Sequence, residues 1–277
     1  MYNIILKFGT NKTKTKKGEK IMKKFLVLFL TLALVFSFAA CTPEEKPEET
    51  PGESTPAETP AETPLETPAE PSIHDKSEGV MTHAEYMAAE MDSEVVVEAF
   101  VQGHQSWWDN KISVYAQDND GGYFFYNMAC SEEDAAKLVP GTKIKVTGTK
   151  GEWSGEIEIM DATFEILEGT CVYEAEDVTA LLGTDDLIKK QNMFVSFKGL
   201  TVVAFEYQNG EPGKDIYVTL AKDGQNYEFC VESYLTFPDS DVYTTVGALK
   251  ENQTVDVEGY LYWYNGSNPH ITAITVK

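Results

Sequence analysis

The residues best suited to chemistry in this chain lie in GHQSWWDNKISVY, from Gly103 to Tyr115, where Trp107 and Trp108 stand side by side just after His104. Indole rings can stack on a base, a sugar ring or a proline. Trp153, Tyr115 and Tyr126 are the other rings that the strand pattern directs toward the same place, and His104 could add a hydrogen bond to a ligand. The competing reading is that these rings close one end of a barrel or pack two domains together. Neighbouring residues of an extended chain point to opposite sides, so one of Trp107 and Trp108 should face inward and the other outward.

Little else points to catalysis. His74, His83, His104 and His270 lack metal-ligand spacing, and nucleophile-elbow, phosphate-loop and zinc-protease patterns are missing from the sequence. Asp118 to Gly122 (DNDGG) begins like a calcium loop but lacks the later oxygen ligands and closing glutamate, so a tight hairpin turn is expected. Cys130, Cys171 and Cys230 have no CxxC spacing, which argues against a metal, although a Cys130–Cys171 disulfide is conceivable. The expectation is a non-enzymatic protein with no catalytic residue, metal or cofactor.

Ahead of these residues, Met22-Lys23-Lys24 makes a basic start, Phe25 to Phe38 is almost purely apolar, and Ala39-Ala40-Cys41 closes it with small residues and a cysteine. That is the three-part shape of a secretory signal, too short for a spanning helix of about 20 apolar residues. It resembles the lipobox of bacterial lipoproteins, which implies acylation at Cys41, cleavage just before it and a lipid-anchored protein at the outer side of the cell membrane. Residues 1–21 fit no such signal. Translation is therefore expected to begin at Met22, and a message lacking an AGGAG-like sequence before that codon excludes the idea.

From Thr42 to Pro71, proline recurs every few residues among Thr, Glu and Ala, so no apolar face exists to bury. The segment reads as an extended tether of roughly 30 residues, able to reach about 90 Å. The whole chain carries a formal charge of -23, its basic residues are all lysine, and eight of them precede Cys41. Such an acidic, arginine-free surface counts against a nucleic-acid partner, since phosphate neutralisation drives that affinity.

The rest must position the rings. Thr82 to Glu85 is a capping box opening a short helix that should end near Asp92. β-Branched and aromatic runs follow at 94–104, 111–117, 123–128, 142–149 and 156–166, with a helix-like SEEDAAKLV after the third. The second half repeats the order at 193–205, 215–221, 226–231, 253–264 and 270–276. In each half a late strand passes a glycine (Gly148, Gly259), reaches a tryptophan (Trp153, Trp263) and turns at Gly155 or Gly266. Five strands with a helix after the third is the order of an OB-fold. The patterns VYAQDNDGGYFFY and VPGTKIKVTGTKGEWSGEIEI resemble OB-fold modules of secreted bacterial proteins, including lipoproteins and modules appended to extracellular nucleases.

The chain is thus expected to be all-β: two tandem OB-like five-stranded barrels after a signal peptide and a disordered linker. The divisions are an upstream extension (1–21), signal peptide (22–40), linker (41–76), first OB-like domain with its helix (77–170), connector with a short helix at 177–182 (171–191), and second OB-like domain (192–277). The resemblance implies a binding module. The first reading is a lipid-anchored scaffold taking a glycan, peptide or protein at the mouth bearing Trp107, Trp108 and Trp153. The second is an extracellular nucleic-acid-binding protein.

Overall fold

The computed structural model of the chain describes residues 72–277. Cys41, the signal-like run and the linker up to Pro71 lie outside the described residues.

Helix α1 (His83–Ala88) begins as the capping box requires: the Thr82 hydroxyl accepts from the Glu85 amide, and the Glu85 carboxylate accepts from the Thr82 amide at 2.8 Å. It stops at Ala88, short of Asp92, because Ala89 turns extended and the Asp92 amide donates to the Lys150 carbonyl. Its buried residue, Tyr86, packs into the first core.

The strands β1 (Glu94–His104), β2 (Lys111–Gln117), β3 (Gly122–Ala129), β4 (Thr142–Trp153) and β5 (Glu156–Thr170) close a barrel in the order β1-β2-β3-β5-β4. β1 and β4 pair antiparallel, whereas β3 and β5 meet in parallel at Phe125 and Ile159. Helix α2 (Glu132–Ala135), capped by the Ser131 hydroxyl, falls between β3 and β4. This is OB-fold topology. Alternation explains the filling: Val95, Val97, Val114, Tyr123, Phe125 and Ile144 point inward to the apolar core, and residues between them face out.

In the second half come β6 (Glu176–Asp177), β7 (Phe194–Tyr207), β8 (Ile216–Lys222), β9 (Gln225–Val231), helix α3 (Asp241–Val246), β10 (Thr254–Tyr260) and β11 (His270–Val276). Sheet order is β10-β11-β9-β8-β7-β6, with a further β10–β7 pairing. The pairings follow those of the first half step for step, including a parallel contact between β9 and β11. Phe197, Val218, Leu220, Phe229 and Val257 build its separate core.

One local expectation is refined and one open alternative closed. No α-helix forms at 177–182: β6 adds in parallel to β7, and the Asp177 carboxylate accepts from the Thr179 amide and hydroxyl, leaving one 3-10 turn at Thr179–Leu181. The Cys130–Cys171 disulfide is also absent, as both thiols are free. Cys130 follows β3 where Ala129 pairs with Lys111, while Cys171 bonds to Gly141 beside Val101, so the two lie at opposite ends of β2.

Candidate functional site

Asp118 behaves as a turn residue. One carboxylate oxygen accepts from the amides of Asp120 and Gly121 at 2.8 and 2.9 Å; the other takes Lys76 at 2.6 Å and the Tyr123 hydroxyl at 2.7 Å. Those bonds hold its carboxyl below the usual range despite burial. With its oxygens spent in this way, DNDGG is hairpin chemistry.

The tryptophan pair divides as alternation requires. Trp107 lies half-buried against the first core and donates its indole N–H to the Cys130 carbonyl at 2.9 Å. Trp108 is 79% exposed, pinned by paired backbone bonds to Lys111. Trp153, the last residue of β4, is 60% exposed, and Tyr126, on the outer side of β3, is 45% exposed. His104 is half-buried, with Nδ1 2.8 Å from the Gln105 carbonyl oxygen. Trp108, Trp153 and Tyr126 therefore remain available on the β1–β2 loop, the β4–β5 hairpin and strand β3, the elements that frame the ligand face of this fold.

Tyr115 must be removed from the ligand-binding set. It is fully buried, but outside its own barrel, because Val114 and Ala116 on either side take the inward positions. Its ring stacks on Tyr260 of the second half, 4.4 Å between centroids and 9° from parallel, and its hydroxyl lies 2.9 Å from His270 Nδ1. Phe124 joins them, 4.7 Å from Tyr115 and 5.5 Å from Tyr262, while Phe194 and Leu235 pack around the cluster. The outer β2–β3 face of the first barrel is thus covered by the second half of the chain.

The flanking loops are engaged too. The Ser106 amide donates to the Tyr234 carbonyl at 2.7 Å; the Asn265 amide donates to the Ser154 carbonyl at 2.7 Å. Gly103 and Gly155 permit this close approach, since a Cβ at the first would strike the Tyr260 hydroxyl and one at the second the Trp263 ring.

Sequence reasoning missed the polar part of this seam. Glu156 is wholly buried; one of its oxygens accepts the Trp263 amide at 2.8 Å, and the other has no partner. Glu158 and Glu232 are nearly as buried. Burial pushes the Glu156 carboxyl up to about 9 and those of Glu158 and Glu232 up to about 7. It drives the His270 imidazole down to about 4. The only advance signal was a pair of glutamates alternating with isoleucines in EIEI, which reads equally well as an ordinary solvent-facing edge. Among the described residues no cluster of His, Cys, Asp and Glu is arranged to hold a metal.

No protein-family model matches the chain, and no curated protein does. Solved structures similar to it include a murine DNA-binding protein bound with double-stranded DNA, at 11% identity and TM-score 0.34 over 65% of this chain and 94% of that one. A p202 HIN1 domain in complex with a 12-mer double-stranded DNA has 10% identity and TM-score 0.31 over 66% and 92%. A replication protein A heterotrimer bound to single-stranded DNA has 12% identity and TM-score 0.27 over 66% of this chain and 49% of that one. Two expectations are corrected. The expectation that set nucleic acid aside stands against similar structures that are DNA complexes; and the β2–β3 face on which Tyr115 was expected to meet a glycan, peptide or protein is covered by the chain's own second half.

Proposed function

We propose that this chain is a lipid-anchored extracellular protein, without catalysis, that binds single-stranded nucleic acid on exposed rings at the rim of the first barrel. The observation that carries the reading is the exposure of Trp108 and Trp153 on the two connections that frame an OB ligand face. A large aromatic ring left in water at such a place gains by stacking, and a flat indole face accepts any unpaired base. A duplex offers no such base faces along its length, which favours the single strand. Tyr126 supplies a third ring on β3, and exposed Lys111, paired to Trp108 through the backbone, supplies a cation for phosphate.

Charge determines what kind of binding this is. A chain with formal charge -23 gains little from releasing counterions around phosphates, so stacking has to provide most of the affinity. Binding should accordingly depend only weakly on salt. The anchor reading rests on the run before Cys41, with its basic start, apolar stretch and small residues. On that reading the linker holds the barrels away from an anionic bilayer.

Titrating a deoxythymidine oligonucleotide while following tryptophan fluorescence tests the proposal. Quenching is expected, with Trp108→Ala and Trp153→Ala each weakening binding by about 1–3 kcal/mol, or about 5- to 150-fold. An unquenched titration overturns it, as does a double variant that binds like the parent chain.

A further inference from the structure

The seam between the halves joins an aromatic face that OB-folds leave open to carboxyl groups that globular proteins seldom bury. Glu156, Glu158 and Glu232 are all at least nine-tenths buried, and among the described residues none forms a salt bridge. At Glu156 the surroundings are specific. From the connector, the Asn192 side chain lies within hydrogen-bonding reach; from the second half come the Trp263 amide and the Tyr262 ring; from α1 comes Tyr86 and from β2 Tyr115; Glu158 is the neighbour on its own strand.

The ammonium that these contacts place is that of Lys150, which lies over the Tyr86 ring and is spent on the carbonyls of Met87 and Ala89 at 2.7 and 2.8 Å. Two acceptors there lack any donor: the second Glu156 oxygen and Asn192 Oδ1, whose own amide nitrogen is fixed on the Ile157 carbonyl. A proton on Glu156 gives that pair a donor. A bare carboxylate in the same place is an uncompensated buried charge.

Glu232 repeats the pattern at the other end of the seam. Its Oε1 accepts from the Tyr234 amide, Gln105 of the first barrel faces it, Asp215 and Cys230 stand near, and its second oxygen is unpartnered. His270 faces Tyr115, Tyr262 and Asp215 and sits neutral in the same interface.

We propose that this seam is a proton-held latch over the β2–β3 face of the first barrel, closed while its buried glutamates are protonated and released as they ionise. This inference does not rest on nucleic acid as the ligand. The sign follows from linkage: a carboxyl raised in the closed state binds a proton that the open state has lost, so closure is stabilised at low pH and weakens as pH rises through the closed-state value. Between pH 7 and 9 the difference is carried chiefly by Glu156, because Glu158 and Glu232, held near 7, finish ionising at the start of that window. His270 acts in the opposite sense only at acid pH, where the open state takes up a proton that the closed one refuses, and it is neutral in both states above pH 7.

Cys230 is a built-in reporter. Phe229 and Val231 enter the second core, so Cys230 between them faces out of its barrel, yet it is buried at the seam close to Tyr115. Cys130 is buried in the core of the first barrel and serves as the control. The experiment labels the whole chain with methyl methanethiosulfonate across pH 7 to 9, locates the label by peptide mass mapping, and normalises each rate to the urea-unfolded chain at the same pH.

The latch predicts that Cys230 labelling rises about tenfold per pH unit, about a hundredfold in all, with Cys130 still protected. In Glu156→Gln, whose amide permanently supplies the donor to Asn192, the rise should flatten. A flat profile in the parent chain, an equal rise in the variant, or Cys130 labelled in step with Cys230 overturns the proposal. Should Glu156→Gln fold poorly, the divergence of the two thiols in the parent chain decides alone.

Discussion

The β4–β5 hairpin of the first half and the β10–β11 hairpin of the second occupy equivalent places in the same strand order, and each carries a tryptophan near its tip. Their fates differ. Trp153 stands 60% exposed at the end of a hairpin whose strands run for 12 and 15 residues. Trp263 follows a strand of only 7 residues, lies half-buried against the second core, and gives its backbone amide to buried Glu156 of the other half. The first hairpin thus keeps its ring for solvent, whereas the second uses its ring as a dock. Sequence-level repetition predicts equivalent position, and the partner that reaches each position decides the role.

The most direct way to break that comparison is to remove the dock from its centre. Tyr260 is buried, stacked on Tyr115, and seated where Gly103 leaves room for its hydroxyl. Replacing a buried aromatic ring with alanine costs about 3–5 kcal/mol. Tyr260→Ala should therefore separate one cooperative urea transition into two, read by circular dichroism, because the two barrel cores are otherwise distinct. A variant that still unfolds in a single transition at the parent midpoint contradicts the idea that the cluster of Tyr115, Phe124 and Tyr260 joins the halves.

The same comparison shows how much was legible in advance. Periodicity placed β1, β2 and β11 at their observed residues and gave the strand order, because alternation at a barrel wall is a property of the local chain. It also divided Trp107 from Trp108. It could not place Tyr115, since an outward aromatic on an OB ligand face has the same local pattern whether it meets water, a ligand or another part of its own chain. Glu156 and Glu158 were hidden for a related reason: glutamates alternating with isoleucines read as an outer, hydrated edge, and only the arrival of Trp263 and Asn192 from more than 30 residues away dries them. The short helix expected at 177–182 shrank to a 3-10 helix at Thr179–Leu181, because β7 offered an open edge with which Asp177, in β6, pairs.

A gentler substitution sharpens the contrast between the hairpins. Trp263→Ala removes a half-buried ring from the second core and from its contact with Gly155, but leaves the backbone amide that bonds to Glu156. About 2 kcal/mol is a reasonable loss, below the range for a fully buried ring because part of its surface already meets water. Trp153→Ala deletes an indole of the same size from the equivalent position of the first half. With 60% of its surface already exposed, it should move the unfolding free energy by no more than about 0.5 kcal/mol. The two variants, measured side by side by urea denaturation, separate repeat position from environment. Equal losses mean that Trp153 contributes packing to the first half, and it then cannot be the free stacking ring on which oligonucleotide binding depends; a large loss at Trp263 alone leaves Trp153 free to contribute to a ligand.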